Sequence, residues 1–94
     1  MNRAHLFISG FVQGVGFRAN TARQARLLSL FGWVRNLPDG QVEAVFEGPE
    51  DKIKKMVDWC RQGPILAKVK TVEVSWEKPE GLSGFEVRRS FVYT

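Results

Sequence analysis

Metal ligands, disulfides and membrane spans are all scarce in this sequence of 94 residues. Its one cysteine, Cys60, excludes an internal disulfide, and its one histidine, His5, leaves no Cys/His cluster for a metal. No metal and no other cofactor is expected on that basis. The apolar run Leu6 to Val12 is interrupted by Ser9 and Gly10, and is far shorter than the about 20 residues a bilayer span requires. With no disulfide requirement and no evident export signal, the cytoplasm is the expected compartment. No tract of five like charges, internal repeat or low-complexity segment occurs.

What is present describes one soluble domain spanning residues 1–94. Hydrophobic residues at 44% and charged residues at 26% are ordinary for a globular protein. The net charge of +4 and pI near 9.6 favour anionic partners, either nucleic acid or small phosphorylated molecules. The basic residues are nevertheless scattered, with Arg23 and Arg26 in one predicted helix, Lys52, Lys54 and Lys55 in another, and Arg88 and Arg89 near the end.

Hydropathy patterning predicts a strand over His5 to Val12, with Leu6 and Ile8 on one face and His5, Phe7 and Ser9 on the other. Helical spacing of Phe17, Thr21, Ala25 and Leu28 predicts a first helix, roughly Ala19 to Leu30. Phe31 to Leu37 and Gln41 to Glu47 form a hairpin around Pro38-Asp39-Gly40. Gly48-Pro49-Glu50-Asp51 opens a second helix, whose Ile53, Met56, Val57 and Cys60 share a buried face, and Gly63-Pro64 closes it. Val69 to Glu77 and the short Phe85 to Arg88 return as strands. The order β-α-β-β-α-β plus a C-terminal edge strand calls for a ferredoxin-like α+β sandwich. Its sheet is mixed, and right-handed crossovers put both helices on one face.

One stretch carries more than fold information: Gly10-Phe11-Val12-Gln13-Gly14-Val15-Gly16-Phe17-Arg18, between the first strand and the first helix. Three glycines let the backbone bend and approach a ligand, a helix N-terminus offers unpaired amides, and Arg18 adds a planar cationic fork. Together they describe a phosphate pocket; the alternative on this stretch alone is a tight turn followed by a solvated arginine. Gly14-Val15-Gly16-Phe17-Arg18-Ala19 also fits the dinucleotide pattern, but that pattern requires an acidic residue about 20 positions on. No carboxylate occurs there before Asp39, so a dinucleotide site is rejected.

Topology brings Asn36, at the end of the second strand, to the same edge of the sheet as Arg18. Asn36 shares a strand face with Gly32 and Val34. It either points toward Arg18 or only prepares the turn at Pro38.

The Gly10–Arg18 stretch, followed by Gly32-Trp33-Val34-Arg35-Asn36 and by Gly48-Pro49, resembles acylphosphatase in order and spacing over roughly residues 3 to 88. The resemblance implies metal-independent hydrolysis of the carboxyl–phosphate bond of a small acyl phosphate by direct water attack, without a covalent intermediate. It implies that Arg18 binds the phosphate, that Asn36 positions the water, and that the amides of Gln13, Gly14, Val15, Gly16, Phe17 and Arg18 line the cradle. Phe11 stands where relatives often have arginine, and Ser29 where glycine is common. In some relatives the chain terminus reaches the catalytic arginine; the tail here, Ser90 to Thr94, is longer.

The residue inventory suits that chemistry. No Cys, Ser, His or carboxylate is placed as an activated nucleophile or acid, which an alkoxide leaving group would demand. An acyl phosphate instead expels a carboxylate, whose conjugate acid has a pKa of about 4, so it departs unprotonated. Two rivals use the same fold. One is a non-catalytic or carbamoyl-phosphate-directed anion-binding domain. The other is an RNA-binding module using Phe7, Trp33 and Arg35 on the open face. Glu43 and Glu47 oppose nucleic acid on that face, and the Lys/Arg-Gly-aromatic signature is missing, so no nucleic-acid or membrane partner is expected.

Overall fold

Alternation along the strands decides which side of the sheet is covered. The computed structural model describes residues 1–89, in which β1 (Asn2–Phe11), α1 (Phe17–Leu27), β2 (Phe31–Asn36), β3 (Val42–Gly48), α2 (Glu50–Gln62), β4 (Lys68–Glu77) and β5 (Phe85–Val87) follow in order. The sheet order is β4-β1-β3-β2-β5. β1 pairs antiparallel with β3 and β4, β2 pairs antiparallel with β3, and β5 runs parallel to β2. This is the ferredoxin-like arrangement with an added edge strand.

Ala4, Leu6 and Ile8 of β1 stand beside Phe46, Ala44 and Val42 of β3, and all six are fully buried beneath the helices. Phe17, Ala22 and Ala25 of α1 and Ile53, Met56 and Cys60 of α2 close the other side of one continuous core. Each large side chain so buried contributes about 1.5–3 kcal/mol.

The open face is polar but not free. Arg3 donates from Nη1 to Glu47 Oε2 and from Nε to Glu77 Oε1, both at 2.9 Å. The two ring nitrogens of His5 lie 2.6 Å from Glu43 Oε2 and 2.9 Å from Glu77 Oε2. Arg35 Nε donates to Glu43 Oε1 at 2.6 Å. Trp33 is buried there, with the guanidinium carbons of Arg88 and Arg35 at 4.4 and 5.3 Å from its ring centroid.

Two elements differ from the sequence expectation by more than one residue at an end. β1 begins at Asn2 rather than His5, because Arg3 is satisfied by carboxylates on both neighbouring strands. α1 begins at Phe17 rather than Ala19 and ends at Leu27 rather than Leu30. At its C-terminus Ser29 adopts φ +56°, Leu30 donates its amide to the Ala25 carbonyl (2.9 Å) and Ser29 its amide to the Arg26 carbonyl (3.0 Å). These two bonds satisfy carbonyls that would otherwise be orphaned at the helix end. The tail Ser90 to Thr94, and any approach of the terminus to Arg18, lies outside the described residues.

Candidate active site

The loop between β1 and α1 is shaped by its backbone before any side chain matters. Gly14 and Gly16 have φ of +76° and +77°. A Cβ added at Gly14 would meet nothing within 4 Å, so what glycine supplies there is conformation rather than space. Left-handed residues alternating along a loop turn successive amides toward one concave side, which suits an anion.

Gly16 also caps α1. Its carbonyl accepts the Asn20 amide at 3.1 Å and Asn20 Nδ2 at 2.8 Å. The amides of Phe17, Arg18 and Ala19 precede that first rung and have no carbonyl one turn back to bond. No acidic side chain in the first turn of α1 competes for its positive end. Phe17 anchors the turn: it is buried, and its ring packs edge-on to Trp59 of α2 at 5.7 Å.

A cavity of about 230 Å³ opens here, lined by Val12, Gly14, Gly16, Phe17, Arg18, Ala19, Asn36 and Val87. Five residues expected from the sequence therefore meet in one place: Gly14, Gly16, Phe17, Arg18 and Asn36. Gln13 and Val15 flank the cavity instead. Val15 packs against the core, while Gln13 turns its side chain to the β2–β3 hairpin.

Arg18 is half-buried, and its Nη1 donates to the Arg88 carbonyl at 3.3 Å. The ion pairs among the described residues lie elsewhere, at Arg3, His5, Arg35, Lys54 and Arg88. Among the described residues the guanidinium is thus oriented by a neutral acceptor, which leaves its charge to the cavity.

Asn36 ends β2, opposite Val42 of β3. It is buried, and its Oδ1 has no hydrogen-bond partner among the described residues. A buried acceptor left unmet costs about 1–3 kcal/mol, and the residue that carries this one lines the cavity, which makes it a candidate to hold water or ligand there. Asn36 is not needed for the turn. Asp39 Oδ1 accepts the Gln41 amide at 3.0 Å and Oδ2 accepts Gln41 Nε2 at 2.7 Å, bonds that hold the Asp39 carboxyl below its usual range. The hairpin closes through the Leu37 amide on the Gln41 carbonyl at 2.8 Å and the Gly40 amide on the Leu37 carbonyl at 3.2 Å.

Sequence reasoning missed Val12, Ala19, Val87 and the Arg88 carbonyl. Val87 and Arg88 arrive only because β5 pairs beside β2, with Val34 opposite Val87 and the Arg88 amide on the Val34 carbonyl at 2.8 Å. A main-chain carbonyl leaves no signature in a sequence. Cys60 is buried on α2 and does not line the cavity, and burial pushes its thiol pKa up, away from nucleophilic use. Among the described residues no group of three or more His, Cys, Asp and Glu is arranged to hold a metal, and no helix is long and apolar enough to cross a membrane.

The family model described as Acylphosphatase matches residues 4–87. An acylphosphatase of Nostoc sp. is 61% identical over 87 residues, covering 93% of this chain and 86% of that protein. One from Thermococcus kodakarensis is 60% identical over 85 residues, covering 90% and 93%. The crystal structure of acylphosphatase from Bacillus subtilis superposes with a TM-score of 0.91 at 35% identity, covering 94% of this chain and 99% of that one.

Proposed function

The chain belongs to the acylphosphatase family and hydrolyses the carboxyl–phosphate bond of acyl phosphates, and we propose that Arg18, Asn36 and the amides of residues 13–18 carry out that reaction in the cavity between α1, β2 and β5. The amides and the Arg18 fork bind the phosphoryl oxygens and offset charge as it develops. The Asn36 carboxamide accepts from and aims a water at phosphorus. A water oxygen–phosphorus bond forms as the bond to the acyl oxygen breaks, and the electron pair leaves on the carboxylate. A phosphoryl oxygen takes the proton of the water, so the products are a carboxylate and inorganic phosphate. No side-chain acid is required, because the departing group is a weak base.

The observation that carries this reading is that one cavity is lined by a guanidinium with no carboxylate partner among the described residues and by a buried carboxamide whose oxygen has no partner among them. Hydrolysis of benzoyl phosphate by wild type, Arg18→Gln and Asn36→Ala, each with inorganic phosphate as inhibitor, tests it. Arg18→Gln is expected to lose about 100-fold or more in turnover and to weaken phosphate inhibition. Asn36→Ala is expected to lower kcat by a similar factor while phosphate inhibits nearly as before. Normal kinetics for Arg18→Gln, or a pure binding defect for Asn36→Ala, ends the proposal. EDTA and thiol-blocking reagents are expected to leave wild-type turnover unchanged.

Identity near 60% over nearly the full length of these relatives favours the hydrolase over a non-catalytic anion-binding or RNA-binding domain. The remaining expectations are part of the same proposal: one domain, a cytoplasmic monomer, no nucleic-acid partner. The ion-paired open face supports the last, since Glu43 and Glu47 hold the positions where bases would stack. Sedimentation as a single species of 10.7 kDa and no mobility shift of RNA at low salt are the expected results.

A further inference from the structure

The side chain of Gln13 makes a connection that phosphate binding does not use. Its Nε2 donates to the Leu37 carbonyl at 2.8 Å and to the Gln41 carbonyl at 2.8 Å, so both carboxamide protons are committed. Each carbonyl already accepts one hairpin amide, Gly40 on Leu37 and Leu37 on Gln41. The carboxamide therefore sits across the mouth of the β2–β3 turn as a third connection. Gln13 is bonded covalently to Gly14 of the cradle, and Leu37 to Asn36. One side chain thus bridges the immediate neighbours of the two halves of the site, which are 22 residues apart in sequence (36 − 14 = 22).

We infer that Gln13 is a positioning residue: its carboxamide sets the location of Asn36, and with it the aimed water, relative to the phosphate cradle. The inference rests on the reading of Asn36 as the water-positioning group. The cradle hangs on the first turn of α1, and Asn36 on the end of β2. Without the Gln13 bridge, the hairpin mouth and the loop keep only their own separate bonds. Misplacement of a reacting group by about 1 Å is enough to cost about 100-fold. Arg18 and the amides of the first turn of α1 are held by the helix and, for the guanidinium, by the Arg88 carbonyl, and do not pass through the hairpin.

The test is a mutant cycle. Gln13→Met keeps the length and removes both donors; Gln13→Glu keeps the shape and, when ionised, turns acceptors toward two carbonyls. Both are expected to lower kcat for benzoyl phosphate about tenfold or more, with the inhibition constant of inorganic phosphate within about twofold of wild type. Combined with Asn36→Ala, neither is expected to lower kcat further, because groups that act as a unit are not additive. Gln13→Glu is expected to recover kcat relative to Gln13→Met as pH falls, since the protonated acid regains one donor. A merely stabilising role would lower the melting temperature without moving either the cycle or this pH profile. Unchanged kcat in Gln13→Met, losses that multiply with Asn36→Ala, or phosphate inhibition weakening in step with kcat would each overturn the inference. If Gln13→Glu fails to fold, Gln13→Met alone decides the kcat and the cycle. If Asn36→Ala itself keeps full kcat, the water-positioning reading fails; if Asn36→Ala falls and Gln13→Met does not, only the Gln13 bridge fails.

Discussion

Arg18 illustrates how one residue is tuned by its partner, which among the described residues is a neutral main-chain carbonyl. A carboxylate partner would orient the guanidinium but spend its charge; the Arg88 carbonyl orients it and leaves the charge intact. Arg18→Lys separates the two contributions. An ammonium keeps the charge but lacks the fork that engages two phosphoryl oxygens and a carbonyl together. Turnover of benzoyl phosphate is expected to fall by at least about tenfold, with inhibition by phosphate weakened less than in Arg18→Gln. Wild-type kcat/KM in the lysine variant would mean that charge alone suffices. Arg18 was legible in the sequence because its glycine-rich surroundings restrict what an arginine can do there. Asn36 was only half legible: asparagine just ahead of a proline turn, here two residues before Pro38, is a common turn former, and the structure gives the turn's side-chain bonds to Asp39 and Gln41 instead.

At the scale of elements, the ends of α1 are the informative places. Its N-terminus is the proposed anion site, and Gly16 caps it without a competing side chain. Its C-terminus carries Ser29 in the left-handed region at φ +56°, a conformation glycine adopts without strain. Ser29→Gly relieves that strain, with partial offset from the freer unfolded chain, and is expected to stabilise by about 1 kcal/mol. The melting temperature should then rise by about 4 °C or more at unchanged kcat. A lower melting temperature would show that the serine hydroxyl, not its backbone, matters. The last strand shows the opposite balance. β5 has only three residues, yet it supplies Val87 and leads to the Arg88 carbonyl. It is held by parallel pairing to β2, by Arg26 Nη2 on the Phe85 carbonyl at 2.8 Å, and by Phe85 stacked on Phe46 at 5.6 Å. None of those partners is near it in sequence, so local periodicity marks the strand but not its place.

At the scale of the whole molecule, one buried carboxylate ties distant segments together. Glu47 is fully buried and accepts Arg3 Nη1 at 2.9 Å and the amides of Glu80, Gly81 and Leu82 at 2.8, 3.1 and 2.9 Å. It thereby pins the loop between β4 and β5 beneath the sheet. Burial alone would push its pKa up, but the amides of Glu80 and Leu82, the Arg3 guanidinium and the Gly81 amide outweigh that and hold it below its usual 4.5. The folded protein therefore binds this proton less readily than the unfolded chain. The stability Glu47 contributes is present above pH 4.5 and is lost as pH falls through the lower, folded-state value. Glu77 is depressed as well, chiefly by its bond from Arg3, and adds in the same direction. Denaturation midpoints should be level near neutrality and drop below pH 4.5. Glu47→Gln, expected to cost about 3 kcal/mol at pH 7, should flatten that drop. Equal midpoints for wild type at pH 3 and pH 7 would contradict the assignment.

The sequence alone determined the element order, the buried faces of β1 and α2, the hairpin at Pro38-Asp39-Gly40 and the glycine-rich turn into α1, because each is written in neighbouring residues through periodicity and turn chemistry. Only the tertiary structure decided that β5 lies beside β2, that a main-chain carbonyl orients Arg18, that Glu47 anchors a loop more than 30 residues away, and that Gln13 reaches the hairpin. Those contacts join distant segments through backbone groups that every residue carries, so side-chain identity could not announce them.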